Sequence, residues 1–356
     1  MTDLVGRYWD LRRFAEPRTA GPTLLFLFNL ACYAGFVFLA IWSTSTAAKL
    51  GWGVLAGLAT TTLFIIGHDA CHLSYTRSRR LNRIIGTIVF LPALHPYSLW
   101  EYGHNRLHHR FAAQIGLDYG YAPMTVDAYA RAGLARRGYY RFMRSLVGQP
   151  FYYLVDIWLP KMFIPLSRQV GPFRRIYALD LAIVYTWLVL LLGGLAALQH
   201  SVAPLPWSEA LVTAALFGFA VPFLTWNLFM SFVTIVQHTG PSLRWSLPTG
   251  GASSHEQQIH GTAQILFPEP LDWIFHRVMH HHAHHLQPGV PLYRLKAAQA
   301  EVVRESGDAA ATIRWTPAYH WDLTKRCKLF DPETAAWRDF DFKPTTTSLP
   351  SATAVA

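Results

Sequence analysis

Four stretches of the chain are apolar over almost their whole length. A helix needs about 20 mostly apolar residues to cross the hydrocarbon core of a bilayer. The stretches that meet this requirement cover residues 23–42, 50–66, 176–199 and 210–235. The pattern therefore predicts an all-α integral membrane fold with four transmembrane helices.

The remaining sequence predicts how the chain is divided. A fifth apolar run, residues 84–94, contains Pro92 and is too short to cross, so we interpret it as a half-dip or an interfacial segment. The charged sequence ahead of the first stretch favours a retained helix over a cleaved signal peptide. The C-terminal sequence KPTTTSLPSATAVA has the composition of a disordered tail. We predict a cytoplasmic N-terminal segment over 1–22, a membrane domain over 23–330 and a disordered tail over 331–356.

Composition supports a membrane protein. Hydrophobic residues make up 52% of the chain, charged residues only 15%, and the mean hydropathy is +0.18. The 13 tryptophans suit the bilayer interface. In so apolar a chain, the net charge of +10 favours lipid headgroups or acidic partners over nucleic acid. The cysteines, Cys32, Cys71 and Cys327, are too few and too scattered for a disulfide framework or a zinc ribbon.

The distribution of Arg and Lys predicts the orientation in the membrane, because these residues accumulate on the cytoplasmic side. The short loops at 43–49 and 200–209 contain one lysine between them. We expect a multi-pass protein of the cell membrane with both termini and the long middle segment in the cytoplasm. The basic residues of that middle segment are Arg77, Arg79, Arg80, Arg83, Arg106, Arg110, Arg136, Arg137, Arg141, Arg144, Lys161, Arg168, Arg174 and Arg175.

Histidines occur in three groups with helical spacing. Residues three or four apart lie on one face of a helix, so each group can direct at least two imidazoles at a common point. His238, in VQHTGPSL, ends the fourth apolar stretch and adds a ninth candidate. If the fifth run does not cross, all nine lie at the same cytoplasmic surface. The first box is His68 and His72 in GHDACH, the middle box is His104, His108 and His109 in GHNRLHHR, and the third box is His281, His284 and His285 in VMHHHAHH.

The third box lies in a run with two further histidines. At about 100° per residue, His281, His284 and His285 share one face, whereas His280 and His282 project to either side. A register that pairs His280 with His284 remains open. The isolated histidines are interpreted as polar interface residues; they are His95, His200, His255 and His320.

An all-imidazole set suits iron, zinc or copper. A zinc site needs three or four ligands, so nine converging histidines favour a centre of two metals with open coordination positions. A metal-bound His usually donates its other N–H to a carboxylate. Asp69, Asp118 and Asp272 are candidates for this role, although Asp69 could equally form a local cap. The arginine-rich segment is read as a headgroup-facing surface or as a docking site for an electron donor.

At these motifs the sequence resembles the integral-membrane fatty acid desaturases, in particular the acyl-lipid, omega-type branch. The resemblance covers residues 66–295 and includes LNRIIGTIVFLPALHPYSLWEYGHNRLHH and LDWIFHRVMHHHAHHLQPGVPLYRL. Two positions depart from the family pattern. The middle box has three residues between His104 and His108, where omega-type enzymes usually have two, and Arg277 stands where many relatives have Asn.

The resemblance implies a cytoplasmic helical cap in which the three boxes and His238 hold two iron ions, with O₂ as co-substrate. The expected reaction introduces a cis double bond into a fatty acyl chain of a lipid or thioester, with the di-iron centre itself as the catalyst. No fused cytochrome b5 domain is recognisable, so a separate ferredoxin or cytochrome b5-like donor is expected. The alternatives are a membrane di-iron hydroxylase or oxygenase of a long-chain hydrocarbon or carotenoid, and a membrane metal transporter. A transporter would place its ligands near the bilayer midplane rather than at span ends.

Overall fold

The protein is mainly helical. The structure, a computed structural model, describes residues 8–165, 174–203 and 205–347. Within these ranges, three segments have π-helical winding, Tyr102–His108, Tyr153–Phe163 and Ala214–Ala220, and three short turns are 3₁₀-helical, Tyr8–Phe14, Gln149–Phe151 and Gly307–Ala309. The α-helices are α1 (Ala20–Trp42), α2 (Thr46–Cys71), α3 (Arg79–Phe90), α4 (Tyr97–Glu101), α5 (His109–Phe111), α6 (Val126–Ala130), α7 (Leu134–Met143), α8 (Arg175–Val202), α9 (Trp207–Thr213), α10 (Val221–His238), α11 (His255–His260), α12 (Glu269–Ile274), α13 (His281–Leu286), α14 (Leu292–Ser306) and α15 (Pro317–Arg326).

Four helices in the described residues are long and apolar enough to cross a membrane, as the apolar stretches predicted. They are α1, α2, α8 and the continuous helix Trp207–His238, which joins α9 to α10 through the third π segment. Helix α2 continues beyond the predicted end at residue 66, which puts His68 in its last turn and His72 at its C-cap. The fifth apolar run falls mostly in α3, whose 12 residues extend about 18 Å and are too short to cross.

The prediction of an all-α fold is correct for most of the described residues, but these also contain four short strands. Strand β1 (Gln264–Leu266) pairs in parallel with β2 (Thr312–Arg314), and β3 (Leu329–Asp331) pairs antiparallel with β4 (Ala336–Arg338). The strands have only three residues each, and their alternation is too brief to register as a period of two in the sequence.

The chain divides into two compact units. The spanning unit comprises Pro17–Glu101 and Tyr153–Met230, and the histidine unit comprises Met1–Glu16, Tyr102–Tyr152 and Ser231–Ala356. The spanning unit therefore contains α1 to α4, α8, α9 and the first half of α10. Of the described elements, the histidine unit contains α5 to α7, the second half of α10, α11 to α15, the four strands and the middle and third boxes.

The core of the spanning unit includes a buried aromatic cluster around His95. The aromatic rings of this cluster belong to Phe64, Phe90, Trp100, Tyr153 and Trp226. The two ring nitrogens of His95 are hydrogen-bonded, Nδ1 to the carbonyl of Ala93 at 2.8 Å and Nε2 to the hydroxyl of Tyr153 at 3.0 Å. His95 is therefore a satisfied core residue rather than the interface residue that the sequence suggested.

Ordered structure extends beyond the predicted start of the tail at residue 331. Strand β4 carries Trp337, which is fully buried and donates its indole N–H to the carbonyl of Leu243 at 3.0 Å. Residues 331–347 are therefore part of the fold, because the aromatic residues that precede the polar end pack into the unit. Residues 1–7, Arg168 and residues 348–356 lie outside the described residues.

Candidate metal centre

The middle box is wound as a π-helix. In this winding the N–H of residue i+5 bonds to the carbonyl of residue i, so residues four and five apart share a face. His104, His108 and His109 have this spacing across Tyr102–His108 and the start of α5. The Nε2 atoms of His104 and His109 lie 3.1 Å apart, and the rings of His104 and His108 stack with centroids 5.4 Å apart. All three imidazoles of the box therefore lie together.

The third box lies on α13, a helix of only six residues with His280 at its N-cap. All five histidines of this run are buried. His281 and His285 are one α-helical turn apart, and their Nε2 atoms are separated by 3.0 Å. The ring of His284 lies 5.8 Å from that of each of the other two, measured between centroids. The facing histidines are the three that the helical period selected.

His238 is the last residue of α10 and is buried. The helix ends there, ahead of the sequence Thr239-Gly240-Pro241, as the turn residues predicted. The Nε2 of His238 lies 2.8 Å from the Nε2 of His281. A histidine outside the three boxes is thus brought into contact with the third box.

Ring nitrogens of seven histidines in the histidine unit meet in two sets. Within each set, the available ligand atoms lie within 4.8 Å of one another. The stacked rings of His109 and His285, with centroids 4.5 Å apart, connect the two sets. The first set is His108, His238, His281 and His285, and the second set is His104, His109 and His284.

The first box belongs to the spanning unit. The rings of His68 and His72 lie 5.0 Å apart at the C-terminal end of α2. His68 Nδ1 lies 3.4 Å from Asp69 Oδ1, which is a long hydrogen bond. Both histidines are half-buried.

The geometry of the first set fits a bound metal ion. His281 Nε2 lies near the Nε2 atoms of both His238 and His285, yet a neutral imidazole nitrogen has either one proton or one lone pair. Hydrogen bonding cannot satisfy all three atoms, whereas a cation between them would. Two nitrogens bound at about 2.1 Å to one metal and cis to each other lie about 3 Å apart, which matches the separations of 2.8 and 3.0 Å.

Electrostatics also suit a cation. Burial lowers the pKa of His285 well below its usual value, and the adjacent histidines lower it further, so the ring stays neutral and can act as a ligand. Burial would raise the pKa of Asp118, but His108 and a backbone N–H from Gly120 outweigh burial and lower it. Asp118 is therefore an ionised carboxylate beside the set.

Comparison with known proteins decides the family. The family model described as fatty acid desaturase matches residues 44–317, most of the chain. The chain belongs to the fatty acid desaturase family. This confirms the resemblance seen in the histidine boxes and identifies the protein as an oxidoreductase of this class.

Named relatives of the desaturase come from cyanobacteria and plants. It is 27% identical to the sn-1 oleoyl-lipid 12-desaturase of Synechocystis sp., over 79% of this chain and 75% of the relative. It is 25% identical to the protein of the same name from Picosynechococcus sp., over 78% and 76% of the two chains. The chloroplastic omega-6 fatty acid desaturase of Arabidopsis thaliana is also 25% identical, over 80% of this chain and 61% of the relative.

The three carboxylates predicted to support ligands take different positions in the desaturase. Asp118 Oδ1 accepts a hydrogen bond from His108 Nδ1 at 2.7 Å, and its oxygens also accept the N–H groups of Ala113 and Gly120. Asp118 therefore leaves His108 Nε2 directed at the first set. Asp69 contacts His68 only at the long distance given above. Asp272 accepts from His280 Nε2 at 3.1 Å, and His280 is not one of the nine predicted ligands.

The structure distinguishes the two registers considered for the third box. His280 bonds through Nε2 to Asp272 and through Nδ1 to Gln264, and His282 bonds through Nε2 to the carbonyl of Thr262 and through Nδ1 to Gln299. Protein groups occupy both nitrogens of each ring, so neither ring has a nitrogen available for a metal. The geometry favours the register of His281, His284 and His285 over the pairing of His280 with His284.

Sequence reasoning did not find Gln264 and Gln299. Each lies at least 16 residues from the histidine that it contacts. Glutamine has no motif of its own in the third box, so no local signal pointed to these residues.

Proposed function

We propose that this desaturase is an O₂-dependent membrane di-iron enzyme that introduces a cis double bond into a fatty acyl chain carried by a membrane lipid. The convergence of seven buried imidazoles in the histidine unit carries the proposal. The names of the relatives support a lipid-linked substrate, since two of them are called oleoyl-lipid 12-desaturases.

We assign the nine histidines to two iron ions. The first set, His108, His238, His281 and His285, holds one ion, and the second set holds the other. His68 and His72 are also assigned as iron ligands on the resemblance alone, because their spacing at the end of α2 matches the first box of the family. The all-nitrogen donors suit iron, and open positions remain for the co-substrate.

When bound, the irons and O₂ supply the oxidant that an unactivated methylene requires and that no amino-acid side chain provides. The chain's own residues hold this centre in a fixed arrangement. The buried imidazole of His285 remains a neutral donor because burial lowers its pKa, and Asp118 keeps the Nδ1 proton of His108 in place. Apart from the centre itself, no side-chain acid or base is assigned to the reaction.

The experiment that tests this function measures products and metal together. The full-length enzyme is expressed in a host lacking desaturase activity, and its lipids are analysed for new double bonds while the purified protein is assayed for metal. We expect new cis-unsaturated lipid and about two irons per chain. His285→Ala should abolish product and lower bound iron, because it removes a ligand of the first set. His320→Ala is the matched control, since His320 bonds to Gln149 away from both sets.

Other outcomes would identify the alternatives. An alcohol product with two bound irons would indicate a hydroxylase. Bound zinc with metal flux across vesicles, and no oxidised lipid, would indicate a transporter. Wild-type product and iron content in His285→Ala would remove this residue from the centre.

We further propose that the desaturase lies in the cell membrane with both termini and the histidine unit in the cytoplasm, as the distribution of Arg and Lys predicts. A separate ferredoxin or cytochrome b5-like donor then delivers electrons from the cytoplasm. A reporter fused after Ser208 should be extracytoplasmic, whereas one fused after Asp341 should be cytoplasmic. Finding both reporters on one side would contradict the four-span arrangement.

A further inference from the structure

His280 and His282, the two further histidines of the run that contains the third box, are each held by a buried glutamine. Gln264, on β1, donates from Nε2 to His280 Nδ1 at 3.0 Å. Gln299, on α14, donates from Nε2 to His282 Nδ1, also at 3.0 Å. The glutamines are only 7% and 1% exposed, so water does not compete for these bonds.

Gln299 also binds the backbone of the ligand helix. Its Oε1 accepts the N–H of Ala283 at 2.9 Å, in the first turn of α13, where N–H groups have no partner within the helix. This bond fixes the orientation of the amide, so Nε2 points at His282. His282 must then carry its proton on Nε2, from which it donates to the carbonyl of Thr262 at 3.1 Å.

The second glutamine is oriented in a comparable way. Gln264 Oε1 accepts from the hydroxyl of Thr312 at 3.2 Å and from Gln299 Nε2 at 3.4 Å, which turns its own Nε2 towards His280. His280 then carries its proton on Nε2 and donates to Asp272 Oδ2 at 3.1 Å. Both rings are thus fixed on two sides by groups outside α13.

A helix of six residues has little stability of its own, because nucleation is costly and few hydrogen bonds repay it. The rotation of α13 about its axis must therefore be set by what it contacts. From these contacts we infer that Gln264 and Gln299 are positioning residues that fix the rotation of α13 and so aim His281, His284 and His285 at the metal sets. We call them the glutamine clamp. That the clamp aims metal ligands rests on the proposed function, whereas its effect on the rotation of α13 rests on the hydrogen bonds alone.

The chain offers a matched control for the clamp. Gln149 is 3% exposed and lies in the same unit. Its Oε1 accepts from His320 Nε2 and from the hydroxyl of Thr324, each at 3.1 Å. Gln149 thus resembles the clamp residues in burial and in bonding a histidine, but it does not contact the third box.

The test compares Gln264→Leu, Gln299→Leu and Gln149→Leu in the purified full-length enzyme. Leu keeps the approximate volume and removes the amide. Fe(II) affinity, measured by chelator competition, should fall about 10- to 100-fold in both clamp variants, the range seen when groups supporting ligands are lost. Gln149→Leu should stay close to wild type, and a fall of the same size there would attribute the loss to general destabilisation. Wild-type affinity in both clamp variants would overturn the inference.

A second readout does not depend on metal. In the metal-free enzyme, backbone hydrogen exchange over residues 280–286 should be faster in Gln299→Leu than in wild type, because the Ala283 N–H loses its acceptor. Gln149→Leu should leave that segment unchanged. If the wild-type enzyme binds no iron, the proposed function fails, yet the exchange measurement still decides the clamp. Unchanged exchange in Gln299→Leu would refute it.

Discussion

The middle and third boxes present the same kind of surface by different windings. In the third box, histidines at i, i+3 and i+4 share a face of an ordinary α-helix. In the middle box, histidines at i, i+4 and i+5 share a face because the segment is π-helical. The middle box has one more residue than the third box between its first histidine and its histidine pair. The π-helix accommodates that residue because it has more residues per turn than an α-helix.

This comparison explains the departure of the middle box from the omega-type pattern. On an α-helix, His108 would still share a face with His104, four residues before it, but His109, five residues after His104, would be turned away. In the structure the three rings remain together, with His104 and His109 joined at 3.1 Å. What the site requires is a shared face, and the spacing in the sequence can change when the winding changes with it.

The boxes also differ in how they are supported. A carboxylate, Asp118, contacts the middle box directly through His108. In the third box, Asp272 and the glutamine clamp contact His280 and His282, which are not among the proposed ligands. The middle box is therefore held through a proposed ligand, whereas the third box is held through the two histidines that adjoin its ligands in the sequence.

Single-residue deletions should give the largest difference between the α-helical third box and the π-helical middle box. Deleting Ala283 places His284 two residues after His281, on the opposite side of an α-helix, so the three histidines no longer share one face and iron binding and turnover should be lost. Deleting the exposed Arg106 converts the middle box to the shorter spacing, which an α-helix accommodates, so most bound iron and turnover should remain. Bound iron and lipid products measure both effects.

The contrast between the two deletions is the control. If the deletion of Arg106 is as damaging as that of Ala283, the π winding does more than absorb an additional residue, and the comparison of the boxes fails. Circular dichroism of both purified variants shows whether each has kept its helical content.

Removing the carboxylates should give a smaller effect that differs between the boxes. Asp118→Asn leaves His108 without an anionic partner and should lower Fe(II) affinity about 10- to 100-fold. Asp272→Asn should lower it less, because Asp272 contacts His280 rather than a proposed ligand. Chelator competition at constant pH measures both variants. A greater loss in Asp272→Asn would show that the third box depends on its surroundings more than the middle box does.

The sequence could predict the features that depend on the apolar content of a long stretch or on the spacing of nearby residues. The apolar stretches predicted four long helices because about 20 apolar residues in succession give an unambiguous signal. The helical period separated His281, His284 and His285 from His280 and His282 in a crowded run. The end of α10 at His238 followed from the glycine and proline that come after it.

Other features depend on contacts between distant residues, and the sequence could not reveal them. The order of residues 331–347 comes from Trp337 bonding to Leu243, 94 residues away. The glutamine clamp joins β1 and α14 to α13 through side chains that have no motif. The extension of α2 to Cys71 was missed because polar residues there interrupt the apolar stretch without interrupting the helix.

The shortness of α13 also has a consequence for how the enzyme opens. Six residues expose little apolar surface when they unfold, so α13 should open at a lower free energy than the long helices. Metal bound by the third box would oppose the unfolding of α13, because its binding free energy adds to the local stability of the helix. Iron would then enter the newly made protein while α13 is open. When iron is withdrawn, α13 should unfold before the long helices do.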